Sequence, residues 1–295
     1  WTDGGLRRTI EIDDRGRSLT TRLEHDGRPL LVPGWSLFAA GWRVVVDGAV
    51  LHGACEEVEF LRVDQTAPFE RVLRHRVRTK PVAIDLHVRS FGAAPAQFQW
   101  LEIRNEGDRP LVVSDVQSLE LALSPTSLEG TEAHRDFCSI RSHPDHYGGM
   151  DDPAIRLDDP ASRRGLFLLN LGPGLVRRSV ALVGYTPIST LGYDTARFPV
   201  ERDLAPGSSF AADPVGFLAY DANPHGTLRA FAARHLVGRP LPAPPILWNT
   251  WQPFGLAIDE PLLIELVDRA ADLGFELFSV DDGWQERQGL WREDP

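Results

Sequence analysis

The chain has 295 residues, 42% hydrophobic and 25% charged, an ordinary profile for a soluble globular protein with room for two domains. Its net charge of −11 comes with no basic stripe, which argues against a nucleic-acid partner. No apolar run reaches the roughly eighteen residues that would mark a membrane span, and Cys55 and Cys138 are too few and too far apart to indicate a disulfide framework.

Residues 1–220 read as β-structure. Ile10 and Ile12 alternate with charged neighbours, and Asp26-Gly27 marks a turn before Leu30–Val32. Trp42–Val46, Asp47-Gly48 and Ala49–Leu51 form a hairpin signal, because Asp-Gly suits the two left-handed positions of a tight turn. Val82, Ile84, Leu86 and Val88 alternate with Ala83, Asp85, His87 and Arg89, which predicts a half-buried antiparallel strand. His75 and His87, set among Arg74, Arg76 and Arg89, are read as part of a solvated sheet face. Phe98–Ile103 switches phase midway, which predicts a bulge or a change of sheet. Asn105–Pro110 is a turn, after which Leu119, Leu121 and Leu123 resume the alternation.

From Ser124 to Ser162 the pattern gives way to polar sequence with Gly and Pro. This stretch carries His134, Cys138, His143 and His146, with Asp136, Asp145, Asp151 and Asp152 nearby. Imidazole and thiolate are zinc ligands, but the spacing matches none of the recurrent zinc patterns, so no metal or other cofactor is assigned. A loop of this length is expected to pack against a neighbouring domain or a second subunit, or to reach a ligand pocket on the neighbouring domain. Beta character returns at Leu166–Leu171, Ser179–Tyr185 and Val215–Tyr220, with Pro206-Gly207 as a hairpin turn. Many short strands without a fixed repeat predict one large antiparallel sandwich. Pro224 to about Leu236 predicts a helix with Leu228, Phe231, Ala232 and His235 on one face; His235 suits its C-terminal dipole. The prolines at 240, 242, 244 and 245 then read as a stiff linker.

Ile246–Trp284 is a different kind of sequence. Ile246-Leu247-Trp248 is a short apolar run that stops at Asn249-Thr250-Trp251, followed by a Gly-containing turn. Asp259 is an N-cap, Pro261 suits the first helical turn, and Leu262, Leu263, Leu266, Val267, Ala270 and Ala271 define one apolar helix face before Gly274. Leu277–Val280 then ends in Asp281-Asp282-Gly283-Trp284. Strand, crossover helix and strand predict a parallel pair, and such folds place ligands at the carboxyl ends of their strands. Trp251, Asp281 and Asp282 all fall there. Two adjacent carboxylates can accept hydrogen bonds from neighbouring hydroxyls, and an indole offers a flat face to the C–H side of a pyranose. Asp-Asp-Gly is also a common strand-ending turn, and Trp248, Trp251 and Trp284 equally suit core packing.

Trp-Asn-Thr-Trp after a Pro-rich lead-in, a helix ending Ala-Asp-Leu-Gly-Phe-Glu, and Leu-Phe-Ser-Val-Asp-Asp-Gly-Trp together resemble the first two barrel strands of family-36 glycoside hydrolases. These are the melibiase-type α-galactosidases, with raffinose synthase-like proteins as relatives. The resemblance implies a multidomain β plus α/β fold, in which a β-sandwich of the supersandwich type precedes a (β/α)8 TIM barrel. The expected domains are a sandwich with its terminal helix over 1–236, a linker over 237–245, and the first βαβ unit of a truncated barrel over 246–295. It implies that Asp281, Asp282 and Trp251 bind galactose, with Trp248 and Trp284 as further candidates to line the pocket. It implies retaining hydrolysis of terminal α-galactosides by two aspartates on later barrel strands, so that no catalytic residue is assigned within these 295 residues. Gln252-Pro253-Phe254 and Gln285 depart from the pattern of many members and leave the exact sugar open.

The partner expected is therefore an α-galactoside or related oligosaccharide, with no nucleic acid and no membrane; a homo-oligomer is compatible. Galactosyl transfer, and a non-catalytic carbohydrate-binding or oligomerisation module, are the competing readings. The chain starts at Trp1 and its single methionine is Met150, so it is expected to be an N-terminal fragment lacking its native start. A reducing, cytoplasmic location fits the two cysteines.

Overall fold

The computed structural model describes residues 2–32, 41–124, 132–135, 154–172, 177–181, 188–193, 201–239, 243–287 and 290–293. They fall into two compact units, Trp1–Gly238 and Arg239–Pro295. Among the described residues no helix is long and apolar enough to cross a membrane.

The first unit is built from antiparallel sheets. A nine-stranded sheet runs in the order Glu132–Arg135, Ala154–Asp159, Arg164–Asn170, Val215–Asp221, Ala94–Asn105, Val82–Phe91, Glu70–Val77 and Val58–Ala67, with Ser209–Ala211 also paired to Ala94–Asn105. A six-stranded sheet has the order Arg177–Ala181, Ile188–Tyr193, Leu111–Ala122, Gly41–Val46 and Ala49–His52, with Arg202–Leu204 on Leu111–Ala122. Thr2–Asp3, Leu6–Ile12, Ser18–His25 and Arg28–Pro29 form a four-stranded meander. Asp26-Gly27 and Asp47-Gly48 both adopt positive φ, at 49° and 76° and at 47° and 73°, as a two-residue hairpin loop requires.

The large sheets pack face to face as a sandwich. One core cluster joins Trp42, Val44 and Val46 of the six-stranded sheet to Leu73, Ile84, Leu86, Leu101 and Ile103 of the nine-stranded one. A second joins Leu6 and Leu23 of the meander to Leu119, Leu121, Leu157, Leu168 and Phe217. Between them lies a polar node. Arg8, 2% exposed, donates to Gln97 at 2.9 Å, to Gln99 at 2.7 Å and to Thr20 at 2.9 Å. Gln99 in turn donates to the carbonyls of Gly41, at 3.0 Å, and Ser118. Arg8 thus links all three sheets through groups that would be costly to bury unbonded, and burial lowers its pKa to about 10.

That node corrects the expectation of a phase switch within Phe98–Ile103. Gln97, Gln99, Leu101 and Ile103 are all buried on one face, and the irregularity in pairing falls earlier, between Ala94 and Gln97. The pattern looked broken because two inward residues are glutamines. The other face is covered locally by helix α1, Pro224–Phe231, whose Phe231 clusters with Ala96, Phe98, Phe167 and Leu218.

His75 is not on a solvated face: it is 1% exposed, hydrogen-bonded to Ser18 Oγ at 3.1 Å and to the Ile84 carbonyl at 3.2 Å, and edge-on to Trp42 and Phe60. Asp85, also buried, is held by Arg74 and Arg104. Pro206-Gly207 does not close a hairpin, because Arg202–Leu204 joins one large sheet and Ser209–Ala211 the other. Ala154–Asp159 is a strand inside the stretch read as a loop, paired with both Glu132–Arg135 and Arg164–Asn170. The predicted helix over 224–236 changes to a π-helical stretch at Ala232–Leu236. There His235 packs on Phe91 and Phe231, and burial, then Arg234, lowers its pKa. Of the loop residues weighed for zinc, His134 lies in the strand Glu132–Arg135. Cys138, His143, His146, Asp136, Asp145, Asp151 and Asp152 lie outside the described residues.

The second unit holds a parallel pair, Leu247–Asn249 with Leu277–Ser279, registered Leu247 to Leu277 and Asn249 to Ser279. Between them come a one-turn helix α2, Trp251–Phe254, where a turn was expected, and helix α3, Glu260–Asp272. Asp259 caps α3 by accepting from the Leu262 amide at 2.9 Å, a bond of about 1 kcal/mol. Gly274, at φ 82°, closes it in a Schellman arrangement, with its own amide on Ala271 and the Phe275 amide on Ala270. The expected six-residue apolar face is only partly covered. Leu266 and Ala270 are buried, Leu262 and Leu263 half-buried, and Val267 and Ala271 exposed.

Candidate functional site at the carboxyl ends of the parallel strands

Each strand of the parallel pair ends in polar residues, and these bond to one another. Buried Thr250 follows the first strand and donates its amide to the Ser279 carbonyl of the second at 3.2 Å. Its hydroxyl oxygen accepts from the Asp281 amide at 3.0 Å. Asn249 donates through Nδ2 to Asp281 Oδ2 at 2.9 Å and accepts the Trp251 amide on Oδ1 at 2.8 Å. One side-chain amide therefore ties the Asp281 carboxylate to the start of α2.

The two aspartates are held differently. Asp281 Oδ1 accepts the Asp282 amide at 2.9 Å. The Asn249 side chain, then this amide, hold the Asp281 carboxyl below the usual carboxylate range. Asp282 Oδ1 accepts from Gln285 Nε2 at 2.6 Å, while Oδ2 has no protein donor among the described residues. Gly283, at φ 111°, completes the turn. A Cβ there would meet the Leu256 backbone at 3.0 Å, so both conformation and space require glycine.

Of the residues singled out in the sequence, Asp281, Asp282 and Trp251 are joined by this network. The Trp251 indole is 43% exposed, although only its backbone is shown tied to the aspartates. Trp284 is exposed in the turn after Gly283. Trp248 packs edge-to-face on Phe275, centroids 5.2 Å apart, on the amino-terminal side of the second strand. Its contacts do not bring it to Asp281. Asn249, Thr250 and Gln285 carry the positioning and were not singled out. Their signal was present, since Asn-Thr stops an apolar run where a parallel strand delivers its ligands.

The arrangement offers ionised oxygens to ligand hydroxyls beside a partly exposed indole. Both carboxylates leave the same strand end, so they suit hydroxyl binding better than flanking a bond from opposite sides. Elsewhere, His25, Asp26 and Asp221 bring ligand atoms within 4.8 Å of one another. Asp221 Oδ1, however, is 2.7 Å from Arg164 Nε, and nothing else marks that group as a metal centre.

This fold is that of the family-36 α-galactosidases over about half their length, as solved structures of that class attest. The α-galactosidase AgaA from Geobacillus stearothermophilus aligns with all of this chain and 52% of its own, at 14% identity and a TM-score of 0.66. AgaB from the same organism aligns with 99% of this chain and 51% of its own, at 14% identity and a TM-score of 0.64. Variants of AgaA have been solved with raffinose and with stachyose. Among curated proteins, probable alpha-galactosidase C of Aspergillus terreus is 24% identical over 233 residues, 69% of this chain and 30% of its own. Alpha-galactosidase 2 of Hypocrea jecorina is 29% identical over 86 residues, 28% of this chain and 12% of its own. The chain thus spans a third or less of the curated relatives it matches. No family model matches the sequence.

Proposed function

We propose that this chain is the amino-terminal part of a retaining α-galactosidase-type glycoside hydrolase and that Asp281 and Asp282 bind hydroxyls of the terminal galactose. In this reading residues 1–236 are a supersandwich domain with its terminal helix, 237–245 a linker, and 246–295 the first βαβ unit of a (β/α)8 barrel. The observation that carries it is the Asn249–Asp281–Asp282 network at the carboxyl ends of a parallel pair, where barrel enzymes assemble their sites. The α-galactosidase names of the relatives and of the matching structures support the substrate class.

Asp281 acts as a fixed acceptor, ionised because Asn249 and a backbone amide stabilise its charge. Asp282 presents Oδ2 to a second hydroxyl. Trp251 gives the sugar an apolar wall. The nucleophile and the acid that complete a double displacement, roughly 5–5.5 Å apart, belong to further strand ends of the whole protein. The test is to incubate the whole protein with 4-nitrophenyl α-galactoside and with raffinose and to follow the released sugar by NMR. Release of galactose with its α-anomer formed first supports the reading. Binding of galactose without turnover would make the protein a sugar-binding module, and neither binding nor turnover would reject the assignment.

A further inference from the structure

The outer side of the nine-stranded sheet carries a cleft that the reading above leaves unused. It has a volume of about 580 Å³ and lies wholly within the first unit, between the turn at Ala67–Phe69, the end of the strand Val82–Phe91 and the π-helical stretch. That volume falls within the roughly 300–1,000 Å³ of small-molecule sites. A second hollow of about 340 Å³ shares Phe91, Arg234 and His235 with it.

The lining combines three kinds of group. Phe69 is 50% exposed, an unusual position for a phenyl ring, and Phe91 and His235 pack beside one another, their rings 5.2 Å apart. Glu70 and Arg89 form an ion pair in which Arg89 Nη2 and Nε both donate to Glu70 Oε2, at 2.7 and 3.1 Å. Arg234 has no carboxylate partner among the described residues. The ion pair is held from behind. The Arg89 guanidinium lies over the Trp100 ring, 5.2 Å from its centroid, and Trp100 stacks on His87 at 4.8 Å. Thr66 Oγ1 donates to the other Glu70 oxygen at 3.1 Å. Such support fixes polar groups before a ligand arrives, which reduces the ordering cost of binding.

From this geometry we infer that the cleft is an accessory carbohydrate-binding site that takes a pyranose unit against Phe69, with its hydroxyls on Glu70, Arg89 and Arg234. An aromatic face suits the C–H side of a sugar ring, and a polyol, unlike an anion, uses donors and acceptors together. Glu70 opposes an anion at the wall where Arg89 would attract it. Burial of the Glu70 carboxyl is outweighed by hydrogen bonds from Arg89 and Thr66, which keep it ionised. The neighbouring hollow leaves room for a further ring of an oligosaccharide. The choice of galactose and raffinose as ligands rests on the proposed function, whereas the cleft stands on its own residues.

The test uses the 295-residue chain carrying Asp281→Asn and Asp282→Asn, so that the strand-end site contributes no carboxylate. Saturation-transfer NMR with galactose and raffinose should still detect binding. Adding Phe69→Ala or Arg234→Met should weaken it roughly tenfold, the scale of one lost stacking or charged contact. Both side chains are exposed, and circular dichroism would verify that the fold is kept. Loss of all sugar binding in the double-Asn background would overturn the inference while leaving the assignment of Asp281 and Asp282 standing. Tighter binding of inorganic phosphate than of sugar, dependent on Arg234, would overturn it too, as would sugar binding indifferent to Phe69 and Arg234.

Discussion

His75 shows what a single buried titratable group does to this fold. Enclosed by Trp42, Phe60 and Ser18, it loses the hydration its charged form needs. Burial lowers its pKa from the ordinary 6.5 to about 4, against the opposing hydrogen bonds of the Ile84 and Leu73 backbone. Because the folded value lies below the unfolded one, the unfolded chain takes up the proton first as pH falls. The His75 contribution is therefore complete above about pH 6.5 and declines toward pH 4, by a total of about 3 kcal/mol. Urea unfolding of the chain between about pH 7 and pH 4 should show this decline, and His75→Gln should flatten it. Equal pH slopes in the two proteins would contradict the account. Nothing in the local sequence announced this burial: His75 sits among arginines, and only the arrival of Ser18 and Trp42 from distant strands decides which way its ring faces.

At the scale of elements, the places where strands meet are set by small residues as much as by large ones. Gly216 lies on Val215–Asp221 directly opposite Phe98, and a Cβ there would run into the Gln97 carbonyl and the Phe98 ring. Gly216→Ala should therefore lower stability by about 1–3 kcal/mol, as overpacking does, read as a lower denaturant midpoint with an unchanged slope. An unchanged midpoint would show that the sheet can open at no cost. Elements whose cause is local were legible in the sequence. Asp-Gly at 47–48 requires two left-handed residues whatever surrounds it, and Asp259 with Gly274 bounds α3 by its own hydrogen bonds. Elements whose cause is distant were not. Pro206-Gly207 turns the chain from one large sheet to the other, and Gln97 and Gln99 face inward because Arg8 meets them there. The site divides the same way: Asp281 and Asp282 stood out by type and position, but the Asn249 bridge depends on the register of two strands 30 residues apart in the chain.

For the molecule as a whole, the two units differ in how completely they bury their apolar surface. The sandwich encloses continuous clusters. The second unit leaves Ile246, Leu247, Leu256, Ile264, Val267, Leu273 and Leu277 exposed. A parallel pair needs cover on both faces, and at about 25 cal/mol per Å² of apolar surface left in water the deficit is several kcal/mol. The 295-residue chain by itself is accordingly expected to show no turnover of an aryl α-galactoside. Asp281 and Asp282 leave one strand end, whereas a double displacement needs two carboxyl groups on opposite sides of the scissile bond. Saturable turnover abolished by changing either aspartate would mean that these residues, and not others, do the chemistry.

The most direct test of the assignment is galactose affinity, measured by calorimetry on the whole protein and on its Asp282→Asn variant. Asparagine keeps the size of the side chain and its oxygen but removes the charge that strengthens a hydroxyl hydrogen bond. If Asp282 Oδ2 receives a galactose hydroxyl, the variant should bind roughly ten- to a hundredfold more weakly with its fold unchanged. Equal affinity in the two proteins would place the sugar elsewhere and contradict the account.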